Sequence, residues 1–339
     1  MSDVLRRKAE HLDVVLTQNV RTVQTTGFEA VRFEHVALPE LHLDEIDLSA
    51  EFLGRRMSAP FLISSMTGGP EEAEHINTNL ALAAGKLRIA FAVGSQRVAL
   101  EGGGASGFGR ELRELMGDMP LLSNFGAAQL RRADAADMAQ RIVDMIGADA
   151  LIIHLNPLQE AVQHGGDRDW SGLLARLEGV VRSMKVPVIV KEVGSGISGR
   201  LAKRLHEAGV RIIDVAGAGG TSWAAVEAAR APNERLRAIA ETYRDWGIPT
   251  ARAIVDVRAA CGDAVLIASG GIRTGLDAAK AIRLGADIVG QAAGVLPAAL
   301  AGADAVVAHF EDRMTELRIA CFCTASRTLR DLRQAPLLN

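Results

Sequence analysis

Cysteine is scarce in this 339-residue chain, with three in all, and aromatic side chains make up only 4% of it. Cys261, Cys321 and Cys323 are too few for a disulfide framework, and the Cys321-Phe-Cys323 spacing is too short for the usual metal-ligand pair. They read as buried free thiols in a cytosolic protein. Charge of one sign is also lacking: the net is −3, so no overall field draws the chain to nucleic acid or a membrane surface. No apolar run approaches the roughly 18 residues of a membrane span. The charged stretch from Met1 to Gln18 has no apolar centre of the signal-peptide kind. A dinucleotide-binding open sheet is excluded too, because no Gly-x-Gly-x-x-Gly turn follows the first apolar run.

What is abundant is small and aliphatic. Hydrophobic residues are 48% of the chain and glycine occurs 34 times, the composition of tightly packed α/β layers. Short apolar runs recur at 61–65, 89–93, 121–124, 150–154, 186–191, 210–215, 264–269 and 286–289, with helical segments between them. Near-continuous apolar strands covered by helices indicate a parallel sheet, and eight is the number that closes a barrel. The predicted fold is therefore α/β, a (β/α)8 TIM barrel over 60–339 with an N-terminal extension over 1–59. Within the extension, 6–25 reads as a helix and 33–52 as a polar approach with short strands. Residues 101–109 read as a glycine-rich flexible loop, 200–208 as a helix, 224–243 as an excursion after the sixth strand, and the tail from 311 as a closing helix.

The strand ends carry the functional signal. Each of the eight is polar or glycine-rich, which core packing does not require, and in a barrel those ends line the active site. The last two are the most informative: Gly270-Gly-Ile-Arg273 and Gly290-Gln-Ala-Ala-Gly294. Such glycines serve either a tight turn or a phosphate cradle, and their pairing after strands 7 and 8 favours the cradle. Backbone N–H groups at Gly271, Ile272, Ala292 and Ala293 suit a phosphate, with Arg273 and Thr221 as further donors.

Longer motifs run through the chain: Arg7-Lys-Ala-Glu-His-Leu12, Met66-Thr-Gly-Gly69, Gly94-Ser-Gln-Arg97, Ser123-Asn124, His154-Leu-Asn-Pro-Leu-Gln-Glu160, Val190-Lys-Glu-Val-Gly-Ser-Gly-Ile197 and Gly219-Gly-Thr-Ser-Trp223. Together they resemble the type 2 isopentenyl-diphosphate isomerases, FMN-dependent barrels that interconvert isopentenyl and dimethylallyl diphosphate. Gly-Gly-Ile-Arg is shared by several FMN barrels; the His154 to Glu160 string with Arg7-Lys8 is far more specific.

The resemblance implies that FMN places its phosphate in the cradle and its ring against Ser65, Met66, Thr67, Ser95 and Asn124. Lys191 ends an otherwise apolar strand; it either snorkels to the rim or places a cation beside the flavin N1–C2=O edge. Arg7 and Lys8 by themselves read as a solvated helix face, but the resemblance makes them diphosphate contacts. Arg97 and the backbone near Ser95 and Gln96 complete that clamp, and His11 is either a helix-surface residue or a further contact. Glu160 is the metal candidate, since Mg²⁺ needs few carboxylates when phosphate and water finish its shell; otherwise it is an exposed glutamate at a helix start. His154 orients substrate or is a satisfied barrel histidine. Gln159 is too weak an acid or base for more than positioning or proton relay.

The implied chemistry is a 1,3-proton shift with reduced FMN as acid and base, and NADPH only as its reductant. A homotetramer or homo-octamer is implied as well, with no nucleic-acid or membrane partner. A 2-hydroxy-acid oxidase would need a His-Gly-Gly-Arg element after strand 6, where this chain has Asp214-Val-Ala-Gly-Ala-Gly-Gly-Thr221. A non-catalytic flavin sensor leaves Arg7-Lys8, Arg97, His154, Gln159 and Glu160 unexplained. Two departures from the family stand out: the glycine-rich loop, which bears on lid behaviour, and Ala325 in place of a glycine, expected to affect only packing.

Overall fold

The computed structural model describes residues 3–65, 71–100 and 107–338. A short antiparallel hairpin, β1 (Ala50–Phe52) and β2 (Arg55–Met57), precedes eight parallel strands. These are β3 (Phe61–Ile63), β4 (Ala90–Ala92), β5 (Leu121–Gly126), β6 (Ala150–His154), β7 (Val188–Lys191), β8 (Ile212–Asp214), β9 (Val265–Ala268) and β10 (Ile288–Gln291). They pair in the order β10-β3-β4-β5-β6-β7-β8-β9 and close into a barrel, as the eight apolar runs predict.

Alternation along each strand divides the side chains between two cores. One set, including Phe61, Phe91, Phe125, Ile153 and Val190, packs outward under the helices. The other fills the barrel with aliphatic residues such as Leu62, Leu122, Ile152, Ile189, Ile212, Ile267 and Ile288. Phe52 and Met57 of the hairpin join that inner set, so the extension plugs the amino end of the barrel. Two positions further along each strand, the inward place passes to Ser64, Gly94, Asn124, His154, Lys191, Asp214, Ser269 and Gly290. The interior thus changes from hydrocarbon to polar within one layer, at the carboxyl end.

The extension wraps the barrel from top to bottom. Its helix spans Asp3–Thr17 and stops short of the expected residue 25. The β-branched stretch that follows favours extended backbone, and neighbouring loops take its hydrogen bonds: Ser222 N–H donates to Val20 O at 2.8 Å and Thr22 N–H to Gly220 O at 3.0 Å. Further on, Glu34 N–H donates to Pro336 O and Asp47 N–H to Arg327 O, tying the extension to the C-terminal segment. The excursion after β8 contains two helices, Trp223–Ala229 and Glu234–Thr242, and the closing helix begins earlier than expected, spanning Ala303–Cys323.

Two further sequence expectations change. Cys323 is half-buried, unlike Cys261 and Cys321. Ala325 adopts φ +52°, so the alanine standing in for glycine imposes backbone strain and not merely altered packing. Of the glycine-rich loop, 101–106 lie outside the described residues. None of the described helices is long and apolar enough to cross a membrane.

Candidate active site

A cavity of about 1430 Å³ opens over the polar layer and is roofed by the N-terminal helix of the same chain. Arg7, Arg97, Lys191, Arg273 and Arg313 line it, whereas Glu160 is the only acidic residue among the described lining residues. A chain of net charge −3 has therefore gathered cations around one space. That favours an anionic occupant.

Hydrogen bonds fix the floor. Asn124 Nδ2 donates to Ser65 Oγ at 2.7 Å, so its Oδ1 is left to accept. His154 Nδ1 lies 2.8 Å from that oxygen and must carry the hydrogen, which sets the imidazole tautomer. Lys191 donates to the Glu192 carbonyl at 2.6 Å. Ser269 Oγ donates to Asp214 Oδ1, also at 2.6 Å. Burial pushes the Glu192 carboxyl up to about 7, against backbone N–H groups of Val193, Gly194 and Ser195 that converge on its Oε2 and the nearby Lys191 charge.

On the β9–β10 side, glycine permits an approach that no other residue allows. Gly270 has φ +99°, and a Cβ there would meet Gly217 O at 2.1 Å; at Gly290 it would meet Ser64 Oγ at 2.5 Å. Asp277 accepts the N–H groups of Arg273 and Thr274, and Glu316 accepts that of Gly275, so carboxylates already cap the helix Gly275–Arg283. Among the described residues, the N–H groups of Gly271, Ile272, Ala293 and Gly294 have no acceptor. The anion-binding donors therefore belong to the turns and not to the helix behind them.

The opposite side is built on the helix Pro157–Val162. Glu160 is buried, its Oε1 accepting from Asn156 Nδ2 at 3.0 Å and its Oε2 from Asp167 N–H at 2.7 Å. Among the described residues no group of three His, Cys, Asp or Glu side chains could hold a metal alone. A cation at Glu160 needs water and substrate oxygens. Gln159 is held at both ends: Oε1 accepts from Asn156 at 3.1 Å and Nε2 donates to Glu227 Oε1 at 3.0 Å.

Glu227 joins the barrel to its roof. Its Oε1 lies 2.8 Å from His11 Nε2, and Arg230 donates to its Oε2 at 2.6 Å and to Glu10 at 2.7 Å. Burial pushes the Glu227 carboxyl up, but the His11 and Gln159 hydrogen bonds and the Arg230 charge outweigh it and hold it below the usual range. Burial likewise depresses His11, outweighing the pull of Glu227. His11 is thus a half-buried latch as well as a lining residue, and not a solvated helix-surface residue.

The cavity brings together Arg7, Ser65, Ser95, Arg97, Asn124, His154, Gln159, Glu160, Lys191, Thr221, Gly271, Ile272, Arg273, Ala292 and Ala293. Gln96 departs from this set: its amide donates to Ile142 O at 3.1 Å and accepts from Asn124 N–H, while its own N–H donates to Asn124 O. It braces the wall. Met66, Thr67 and the Lys8 side chain lie outside what is described. Sequence reasoning missed Glu227, Asp214 and Gln291. The available signals were a lone acid among the alanines of Trp223–Ala229 and a charge ending the apolar run of β8.

The family model for FMN-dependent dehydrogenases matches residues 160–339. An isopentenyl-diphosphate delta-isomerase of Stutzerimonas stutzeri (strain A1501) is 61% identical over 99% of this chain and 97% of its own length. One from Xanthobacter autotrophicus is 58% identical (98% and 97%), and one from Synechocystis sp. is 49% identical (99% and 97%). A mandelate oxidase solved with (S)-2-phenylpropionate has a TM-score of 0.70 at 18% identity, covering 99% of this chain and 97% of that one. That likeness shows the fold alone. The near-complete coverage at high identity, on this barrel and over this cavity, decides the family: the chain belongs to the isopentenyl-diphosphate delta-isomerases.

Proposed function

We propose that the chain interconverts isopentenyl and dimethylallyl diphosphate, with FMN in the floor of the cavity and the substrate between floor and roof. The observation that carries this is one cavity with two anion-binding sides: the β9–β10 turns with Arg273, and across the barrel Arg7, Arg97 and Glu160. The residues fit FMN. Buried Ser64 Oγ and Gln291 Nε2 lack partners among the described residues and line the same cavity, as a polar cofactor requires. The turns at Gly271–Ile272 and Ala292–Ala293, with Thr221 and Arg273, would hold its phosphate. Lys191, Asn124, Ser65 and Ser95 would hold its ring, and Met66 and Thr67, outside the described residues, complete the proposed set.

Reduced FMN would supply the acid and base for the proton shift; among the described lining residues there is a single carboxylate, Glu160. The chain's own groups position and exclude. Arg7, Lys8 and Arg97 bind the diphosphate, and Ser95 assists; Gln96 acts by bracing Asn124. Glu160 takes Mg²⁺ together with substrate oxygens and water. His154, fixed by Asn124, and Gln159, fixed by Glu227, orient the hydrocarbon end. The roof keeps water from a carbocation-like transition state. NADPH serves only to reduce the cofactor. The barrel over 60–339 carries the cofactor, the extension over 1–59 completes the substrate site, and the assembly is a cytosolic homotetramer or homo-octamer.

An anaerobic assay with photoreduced FMN, Mg²⁺ and isopentenyl diphosphate, reading dimethylallyl diphosphate directly, tests the reading. Turnover without nucleotide is expected; inactivity would overturn it.

A further inference from the structure

Beneath the cavity floor lies a buried carboxylate that neither the cofactor contacts nor the substrate clamp use. Asp214 and Lys191 are register partners on β8 and β7, so both side chains enter the barrel interior side by side. Asp214 is 1% exposed and Lys191 7%. The carboxylate is secured from its other side, by Ser269 Oγ at 2.6 Å and Ala216 N–H at 3.2 Å, both on Oδ1. Burial holds the Asp214 carboxyl above the usual range, and the Lys191 charge with the Ser269 and Ala216 hydrogen bonds offsets this only in part.

Barrel packing does not ask for this acid. Ile212 on the same strand and Ile267 beside it fill the layer below with hydrocarbon. A buried carboxylate is costly unless a charge compensates it, so its presence beside the floor lysine points to electrostatics. Alone, Lys191 would place a full positive charge under the cofactor in a poorly screened site. An opposite charge on the neighbouring strand, where strands run about 4.8 Å apart, offsets part of that field.

Resting on the reading that this cavity takes FMN, we infer that Asp214 is a positioning residue that offsets the Lys191 charge and so sets how strongly the site prefers reduced to oxidised FMN. Asp214→Asn is the informative variant, because asparagine keeps an Oδ1 acceptor for Ser269 and Ala216 while removing the charge. The measurement is the affinity of the protein for oxidised FMN and, anaerobically, for reduced FMN. The reduced-to-oxidised affinity ratio should rise at least tenfold in the variant, equal to about 30 mV in midpoint potential for a two-electron couple. Ser269→Ala, which leaves the carboxylate one donor poorer, should move the ratio the same way by a smaller factor. It decides the matter if the first variant does not fold. An unchanged ratio, or a shift toward oxidised FMN, in a variant that still binds FMN overturns the role of Asp214 alone. A wild-type protein that binds no FMN overturns the functional reading and this inference with it.

Discussion

The floor and the roof of the cavity are built on different principles. The floor side chains come from neighbouring strands whose register fixes them: Asn124 on β5, His154 on β6, Lys191 on β7 and Asp214 on β8. None of them moves without breaking the barrel. The roof is one helix, Asp3–Thr17, seated by a small apolar cluster of Val14, Val20, Ala225 and Val226 and by the polar latch of His11, Glu227, Arg230 and Glu10. Few buried contacts mean a low local opening free energy. On the proposed reading, the floor is preorganised for a resident cofactor, while the roof would open for a substrate that must enter and leave. Glu160 and Gln159 stand where the two regimes meet, on barrel-borne residues that reach the latch through Glu227.

The largest expected effect tests that meeting point. Glu160→Gln should abolish Mg²⁺ dependence and lower turnover at least about a hundredfold, as loss of several kcal/mol of metal-assisted stabilisation implies. Wild-type activity in the variant would remove Glu160 from the metal site. On the floor, Gly270→Ala forces a Cβ against Gly217 O at φ +99°. A loss of about 2–3 kcal/mol in stability or FMN binding should follow, read by melting and flavin fluorescence. Unchanged values would mean that the turn is looser than its geometry.

The latch should behave differently. Glu227→Gln removes the charge facing His11 and Arg230, and is expected to raise KM for isopentenyl diphosphate roughly tenfold while FMN affinity stays the same. Equal damage to both would show that floor and roof are one unit. On the roof, proton concentration should act through His11. His11 is depressed by burial, so the closed roof binds fewer protons than the open one. Its contribution is full above the ordinary histidine value and lost as pH falls toward the depressed one. Between pH 7.5 and 5.5, KM should therefore rise by less than about tenfold, and His11→Gln should flatten that profile. The smallest effect lies outside both regions: Ala325→Gly should relieve the φ +52° strain and stabilise the fold by about 1 kcal/mol without altering KM.

Much of the floor was legible beforehand because strand alternation and strand ends are local signals. Lys191 and His154 announce themselves as polar endings of apolar runs, and the glycine pairs announce turns. Asp214 has the same signature, a charge ending the apolar run of β8. Gln96 misleads instead: it lies within a recognisable motif, yet its amide is spent on Ile142 and Asn124. A motif names the neighbourhood, but only packing says which way each side chain turns. Glu227 had the weakest signal, since its partners His11 and Gln159 are 216 and 68 residues away.

Sequence by itself determined the barrel, its strand count and the polar character of its mouth, because these follow from periodicity within a few residues. It also carried the family, through motifs spread along the whole chain. Tertiary structure decided that the chain's own N-terminal helix roofs its own barrel, and that a His11–Glu227–Gln159 chain joins roof to site. It decided as well that Asp214 stands beside Lys191. Those are contacts between distant segments, and their energies depend on burial and on which charges meet out of water. No local pattern encodes that.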